Sequence, residues 1–179
     1  MCIQTRACED REKWMAWCAL KVREGAGMII LAGPDEHMSQ KLASARQTSR
    51  RALVGVAEPY AQMSADVIHM QSMGHCYRWF GKVTGCRVRS VEEARAAMTV
   101  GCSYVVVDAG VEGLVEKMAA GNLAMVWFVD GCETMEDLEE AVRQGARRVW
   151  TRSEEMVEPY SVYLRQMWRE RNEFQGVLQ

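Results

Sequence analysis

The stretch that decides the fold runs from Lys82 to Gly110 and reads KVTGCRVRSVEEARAAMTVGCSYVVVDAG. Its first part, Val83–Val88, is rich in β-branched residues and predicts a strand. Ser90 and Glu93 have the S-x-x-E spacing of a capping box, which predicts that a helix begins here. Tyr104–Val107 then forms a short apolar run of the kind that a parallel sheet buries on both faces. Strand, helix and strand in this order predict a βαβ unit.

The same alternation extends along the whole chain. Short apolar runs predict strands at Cys2–Thr5, Met28–Leu31, Leu53–Ala57, Ala65–Met70, Val83–Val88, Tyr104–Val107, Ala124–Val129 and Arg148–Thr151. Helical spacing predicts helices at Glu12–Glu24, Met38–Arg50, Glu112–Ala120 and Pro159–Glu173, a helix from Val91 that stops at Gly101, and one capped by Thr134. Between Gln71 and Gly81 the pattern predicts only one turn of helix, at Tyr77–Phe80.

Three helix-to-strand junctions share one local pattern. Gly25, Gly101 and Gly145 each end a predicted helix, and each is followed by a small residue and then by apolar residues. Eight alternating units without a strand-rich block predict a small (β/α)8 TIM barrel, with residues 1–179 in a single domain. The alternative is an open, doubly wound α/β sheet.

Composition narrows the class of protein. The chain has 179 residues, 49% of them hydrophobic, and a net charge of −2, which argues against nucleic acid or an acidic membrane as the main partner. No apolar run reaches the roughly 18–20 residues of a membrane helix, and no signal-peptide core begins the chain. The seven cysteines form no C-x-x-C pair. We therefore expect a cytoplasmic protein with reduced, mostly buried cysteines.

The order of several motifs resembles the thiamine phosphate synthase and TenI superfamily. The segments that carry the resemblance are ADVIHMQ at Ala65–Gln71, GCRVRSVEEA at Gly85–Ala94, GCSYV at Gly101–Val105, DGC at Asp130–Cys132 and TRS at Thr151–Ser153. The family's patterns at these places are A-D-G-V-H-L-G-Q, G-x-S-x-H-S-x-x-E-A, G-A-D-Y-V, G-G-I and a Val-Ser. The resemblance implies a (β/α)8 barrel of thiamine biosynthesis that binds a phosphorylated thiazole or pyrimidine, with Mg²⁺ as the cofactor of an active enzyme.

The chain also departs from the family's pattern. Where the family has Gln-x-Arg, this chain has Leu31-Ala32-Gly33, and where the family has Asn-Asp, it has Ala57-Glu58. The serine of G-x-S is Arg87, and the next histidine is Arg89. The family's second magnesium aspartate has no clear counterpart in this chain. The family's lysine after strand six corresponds to Lys117, or else Lys117 is simply a residue of the sixth predicted helix.

Three of these residues are candidates for catalysis. Glu58 could supply one carboxylate to Mg²⁺, which needs hard oxygen ligands. Arg87 and Arg89 are two residues apart on a strand, so both project from the same face near the barrel mouth. They could neutralise a phosphate without a metal, or they could form salt bridges with Glu58, Asp108 or Asp130.

The loops after strands seven and eight are the usual phosphate position of such barrels. Gly131, Arg152 and Ser153 are therefore the candidate phosphate-binding residues, with backbone N–H groups of Gly131 and Ser153 as donors. Alternatively, Gly131 is a turn glycine and Ser153 a helix cap. Asp108 and Asp130 end two successive strands and could act as bases, or could cap the helices that follow.

Two classes of function remain open. One is a thiamine-pathway or related phospho-substrate enzyme, and the other is a catalytically silent relative that binds a phosphorylated ligand or a partner and serves regulation or assembly. We expect His69 to be a core residue and the loop at His75-Cys76 to be a possible lid. The aromatic face of the last helix suits barrel packing and also a homo-oligomer interface; its residues are Tyr160, Tyr163, Leu164, Met167 and Trp168.

Overall fold

The computed structural model of the chain describes residues 1–6, 9–32, 37–57, 65–72, 74 and 81–177, the last seven of these without their side chains. The strands are β1 Cys2–Thr5, β2 Met28–Leu31, β3 Leu53–Ala57, β4 Val67–Met70, β5 Val83–Arg87, β6 Tyr104–Asp108, β7 Val126–Asp130 and β8 Trp150–Thr151. The helices are α1 Arg11–Glu24, α2 Met38–Thr48, α3 Val91–Thr99, α4 Leu114–Ala120, α5 Met135–Arg143 and α6 Val157–Val177.

The eight strands form one parallel sheet that curls into a nearly closed barrel. The spatial order runs from β7 through β6, β5, β4, β3, β2 and β1 to β8. β2 pairs with β3 along four residues, and β1 pairs with β8 at Cys2–Trp150 and Ile3–Thr151. The last seam, between β7 and β8, is joined by a single parallel bridge between Val129 and Val149. The predicted (β/α)8 barrel is therefore confirmed, and the open-sheet alternative is wrong.

Most elements begin and end close to where the sequence pattern predicts. Thr134 and Asp137 form the full capping box that starts α5. At α3 the box is only half formed, because Ser90 accepts from the Glu93 N–H while the Glu93 carboxylate accepts from the Arg89 N–H instead. β8 is shorter than predicted, with two residues. The predicted helical turn at Tyr77–Phe80 lies outside the described residues.

Alternate residues of the strands point into the barrel, and several of them are aromatic. Tyr104 and Phe128 meet edge to face with ring centroids 5.6 Å apart, and Phe128 meets Trp150 in the same way at 6.2 Å. Gly85 is required beside them, because an added Cβ would lie 2.3–2.4 Å from ring atoms of Tyr104. The barrel interior is thus filled by rings on β6, β7 and β8, and the neighbouring β5 provides the space.

The opposite faces of the strands pack against the helices in two further clusters. On α6, Tyr160 is fully buried and its hydroxyl donates to the carbonyls of Cys132 and Thr134, so the start of the predicted aromatic face serves barrel packing. Trp168 is half-buried, with the Arg147 guanidinium 5.4 Å from its ring centroid. The homo-oligomer through this helix stays a prediction.

Most described cysteines behave as small core residues. Cys2, Cys18, Cys86 and Cys132 are free and buried, and burial raises the pKa of the Cys18 thiol to about 12. Cys102 is in a disulfide bond, so the prediction of reduced cysteines is wrong at this position. Among the described residues, no helix has both the length and the apolar character needed to cross a bilayer.

The barrel packing yields a stability prediction at Val106, which is fully buried inside the barrel on β6. Val106→Asp would place an unpaired carboxylate there and should lower the free energy of unfolding by roughly 3 kcal/mol or more in a chemical denaturation experiment. The matched control is Val162→Asp on α6, where the valine is 52% exposed, and its effect should be far smaller. Equal losses in the two variants would contradict the assignment of Val106 to the barrel interior.

Candidate functional site

The carboxylate of Asp130 is the central acceptor at the carboxyl end of the barrel. Asp130 is the last residue of β7 and is only 7% exposed. Its Oδ2 forms ion pairs with the guanidinium of Arg87 and, at 3.1 Å, with that of Arg152. Its Oδ1 accepts the backbone N–H of Gly131 at 2.9 Å. Three donors from the ends of β5, β7 and β8 therefore converge on one buried carboxylate.

Arg87 reaches this position because of the strand alternation on β5. Gly85, two residues earlier, faces the Tyr104 ring inside the barrel, so Arg87 projects on the same inner side at the rim. Its side chain is 26% exposed and crosses β6 to reach Asp130 on β7. Of the two alternatives that the sequence left open for Arg87, the structure shows a salt bridge with Asp130, formed within the mouth.

The two predicted backbone donors are engaged within the chain. The Gly131 N–H donates to Asp130, and the Ser153 N–H donates to the Thr151 hydroxyl at 3.0 Å. Gly131 has φ +91, so it also serves as a turn residue, and Ser153 does not cap α6, which begins at Val157. Arg152 lies beside them with its side chain 63% exposed. The structure thus brings Gly131 and Arg152 together around Asp130, and the phosphate role of all three residues stays a prediction.

Asp108, level with Asp130 on the adjacent strand, is exposed at the same rim. Its Oδ1 accepts the Gly110 N–H at 2.8 Å, which closes a short turn after β6. An added Cβ at Gly131 would lie 3.0 Å from this oxygen, so the two loop starts are packed together. Asp108 forms no ion pair within the described residues and lines the cleft beside Arg87.

Arg89 follows β5 and stands at the boundary between two surfaces. Its backbone N–H donates to the Glu93 carboxylate at 2.7 Å, and its exposed side chain has no ion pair among the described residues. It lines the mouth cleft and also an outer groove between α3 and α4, together with Arg95 and Lys117. Of the two alternatives for Lys117, the structure shows a residue of helix α4.

A cleft of about 500 Å³ opens beside Arg87, and neither Asp130 nor Arg152 lines it. Its lining includes Arg87, Arg89 and Asp108, with Val111 as an exposed apolar side chain and Gln71 from the end of β4. This volume lies within the roughly 300–1,000 Å³ range typical of small-molecule sites. The cleft therefore combines cationic and polar groups with an exposed apolar side chain.

Beneath the arginines, His69 lies inside the barrel on β4. Its Nδ1 is 3.2 Å from the Tyr104 hydroxyl, and its ring centroid lies 4.5 Å from that of Trp150. Its Nε2 is buried and has no hydrogen-bond partner in the described part of the chain. Burial, with smaller contributions from the charges of Arg87 and Arg152, lowers the pKa of His69 to about 3. His69 is therefore a neutral core histidine at physiological pH, as the sequence predicts.

The described residues contain no ready-made cluster of metal ligands. No three His, Cys, Asp or Glu side chains in the described part of the chain gather around one point. The carboxylate of Asp130 is bonded to two guanidiniums, which a metal ion would have to displace. Glu58, the predicted catalytic residue and metal ligand, lies outside the described residues, as does the predicted lid at His75-Cys76.

No family model and no curated relative matches the chain. Solved structures do share its fold. Thiamine phosphate pyrophosphorylase from Pyrococcus furiosus is 16% identical with a TM-score of 0.70, and the match covers 91% of this chain and 93% of that one. (S)-3-O-geranylgeranylglyceryl phosphate synthase from Thermoplasma acidophilum, in complex with substrate sn-glycerol-1-phosphate, is 14% identical at TM-score 0.69, covering 93% and 92%.

N-acetylmannosamine-6-phosphate 2-epimerase from Clostridium perfringens is also similar, with 13% identity, a TM-score of 0.59 and coverage of 93% of this chain and 91% of that one. At these identities the likeness shows the fold alone. The fold resembles that of thiamine phosphate pyrophosphorylase, as expected, but it resembles that of the glyceryl phosphate synthase nearly as well and also that of the epimerase.

Sequence reasoning named the mouth residues but missed how they are connected. Asp130 was considered as a base, a helix cap or one of several salt-bridge partners, whereas it is the acceptor for both Arg87 and Arg152. The signal that could have found it is the alternation on β7, which places Phe128 and Asp130 on the same inner face. The partnership of His69 with Tyr104 has no local sequence signal, because the two residues are on strands separated by β5.

The lowered pKa of His69 predicts a specific pH dependence of stability. The unfolded chain binds a proton at His69 below its ordinary pKa of 6.5, whereas the folded chain does not until the pH approaches about 3. The stabilisation is thus complete above pH 6.5 and is lost as the pH falls through that window. Relative to His69→Phe, the wild-type free energy of unfolding should drop by about 2 kcal/mol between pH 7 and pH 5.

The comparison uses urea denaturation of both proteins at the two pH values, so that all other titrating groups cancel. Equal pH dependence in wild type and variant would show that His69 is not held neutral inside the barrel.

Proposed function

We propose that the protein binds a phosphorylated small molecule at the mouth of the barrel, where Arg87 and Arg152 supply the positive charge. Arg89 borders the same cleft and can contact the remainder of the ligand or a second phosphate group. The proposal places the phosphate next to the loops after β7 and β8, the position that (β/α)8 enzymes commonly use.

The observation that carries the proposal is the convergence of two guanidiniums on one buried oxygen acceptor. Arg87 at the end of β5 and Arg152 after β8 both reach the same point, so their guanidiniums lie close enough to share one oxyanion. Because Arg87 lies at the edge of a cleft of about 500 Å³, a ligand that enters the cleft can reach a preformed cationic centre. Preorganised donors of this kind bind phosphate without a metal.

The finer proposal is that the ligand is a thiazole phosphate or a pyrimidine pyrophosphate. It is supported by the sequence resemblance to the thiamine phosphate synthase and TenI superfamily and by the shared fold with thiamine phosphate pyrophosphorylase. The exposed apolar side chain of Val111 would suit the face of a flat heterocycle, while the arginines take the phosphate.

The reaction of the thiamine phosphate synthases couples a pyrimidine pyrophosphate to a thiazole phosphate. Whether this chain catalyses that coupling is a separate question from binding. The family's route needs Mg²⁺ with one or two carboxylate ligands, and Glu58 is the one carboxylate that the sequence keeps from the family's magnesium motif. The serine and histidine positions of the family's motif are Arg87 and Arg89, and Arg87 is paired with Asp130. We therefore propose ligand binding without thiamine phosphate synthesis.

The second candidate is a catalytically silent barrel that serves regulation or assembly. The observation that favours it is that the donors at the mouth already have acceptors within the chain. Asp130 accepts from Arg152 and the Gly131 N–H, and Thr151 accepts from the Ser153 N–H. In this alternative the ion pairs stabilise the rim of the barrel, and no phosphate ester binds there.

A binding experiment tests the proposal. Titration of thiazole phosphate by isothermal calorimetry should show binding to the wild type, and Arg87→Ala should weaken it by about ten- to a hundredfold, the effect of one charge-assisted bond. The matched control is Arg143→Ala, which removes an arginine from the exposed face of α5 and should leave the affinity unchanged.

The coupling assay with pyrimidine pyrophosphate and Mg²⁺ should stay at background. Thiamine phosphate production that disappears in Glu58→Gln would overturn the proposal that the chain only binds. Absence of binding of any phosphate ester would favour the silent barrel.

A further inference from the structure

Asp130 is bonded by the same kinds of donor that would surround a bound phosphate. Two guanidiniums and one backbone N–H of the strand-seven loop all donate to this carboxylate. A phosphate oxygen at the same point would use the same two guanidiniums. The ligand and Asp130 therefore compete for one set of partners.

We propose that Asp130 is a built-in counter-anion, which the ligand's phosphate displaces from the arginines and which thereby selects dianionic phosphate monoesters over monoanions. This inference rests on the proposed function and adds to it a substrate class and a specificity-determining residue.

The charges explain the selection. Arg87 and Arg152 carry two positive charges, and Asp130 neutralises one of them. A monoanion, such as a carboxylate or a phosphodiester, can only reproduce what Asp130 already provides, so its binding gains no charge compensation. A phosphate monoester carries about −1.5 to −2 charges near neutral pH and can neutralise both guanidiniums.

The surroundings allow the exchange. The Arg152 side chain is 63% exposed, so it can rotate from Asp130 toward a ligand with little loss of packing. The Gly131 N–H donates to Oδ1 of Asp130, while both arginines bind Oδ2, so the carboxylate retains one hydrogen bond after the arginines leave. This hydrogen bond reduces the free energy that is lost when the ion pairs of Asp130 break. A ligand must still recover the remaining loss through its own contacts with the arginines.

A positioning role for Asp130 would have the opposite signature. If Asp130 served only to hold the arginines in place for the ligand, its neutralisation would loosen them and weaken phosphate binding. If Asp130 competes with the ligand, the same neutralisation strengthens binding. The sign of one mutational effect therefore separates the two roles.

The test is isothermal calorimetry at pH 8 with methyl phosphate, a dianion, and dimethyl phosphate, a monoanion of similar shape. The wild type should bind methyl phosphate about a hundredfold more tightly than dimethyl phosphate. Asp130→Asn should bind methyl phosphate about tenfold or more tightly than the wild type, and it should also bind dimethyl phosphate more tightly. Glu139→Gln on the exposed face of α5 removes one negative charge away from the mouth and should change neither affinity.

A second variant keeps the test decisive where Asp130→Asn does not fold. Arg152→Gln changes an exposed side chain, and it should reduce the preference for methyl phosphate by about tenfold because only one guanidinium remains to be neutralised. An unchanged preference would overturn the inference.

The outcomes also separate this inference from the proposed function. Methyl phosphate that binds the wild type but binds folded Asp130→Asn equally or more weakly overturns the counter-anion role alone. Absence of binding by both proteins overturns the role and the proposed phosphate site together.

Discussion

The ion pairs of Asp130 are the interaction on which the carboxyl end of this barrel depends. A carboxylate that is only 7% exposed must have donors, and an unpaired one would cost several kcal/mol. The donors come from Arg87 on β5 and Arg152 after β8, on either side of the strand that carries Asp130. Because β8 is joined to β7 by one backbone bridge, the Arg152–Asp130 pair adds a side-chain connection at the least paired seam of the sheet.

The packing below this rim explains why the arginines lie where they do. The rings of Tyr104, Phe128 and Trp150 fill the interior, and Gly85 leaves room for the first of them. With that layer filled, the next inward residue on β5, Arg87, is placed above the aromatic rings and at the edge of the mouth. The same filling keeps His69 dry and neutral, so the cationic centre lies on an apolar floor, where charge–charge interactions are stronger than in water.

Much of the fold could be predicted because apolar runs and helix caps, which are local features of the sequence, specify most of its strands and helices. The bounds of β1, β2 and β3 match the apolar runs that predict them, and Thr134 starts α5 with the predicted cap. The bounds of the last strand are less predictable, since only two residues of the predicted strand Arg148–Thr151 pair as β8. A short strand is specified by its neighbours in a closed barrel more than by its own sequence.

The candidate site could be predicted only in part for a related reason. Strand ends identified Arg87, Gly131 and Arg152 as residues of one mouth, because parallel strands end on one side of a sheet. Which arginine meets which acid depends on the curvature of the barrel, since Arg87 reaches Asp130 across the intervening strand β6. No local pattern encodes such a contact, and the resemblance to a known family, whose motif has a serine at the position of Arg87, did not suggest it.

The most direct test of this account is a crystal structure of the protein grown with saturating thiazole phosphate. The account predicts a phosphate that lies between the guanidiniums of Arg87 and Arg152, with the Asp130 carboxylate released from at least one of them. A ligand bound elsewhere, such as in the groove between α3 and α4, with both ion pairs of Asp130 intact, would contradict it.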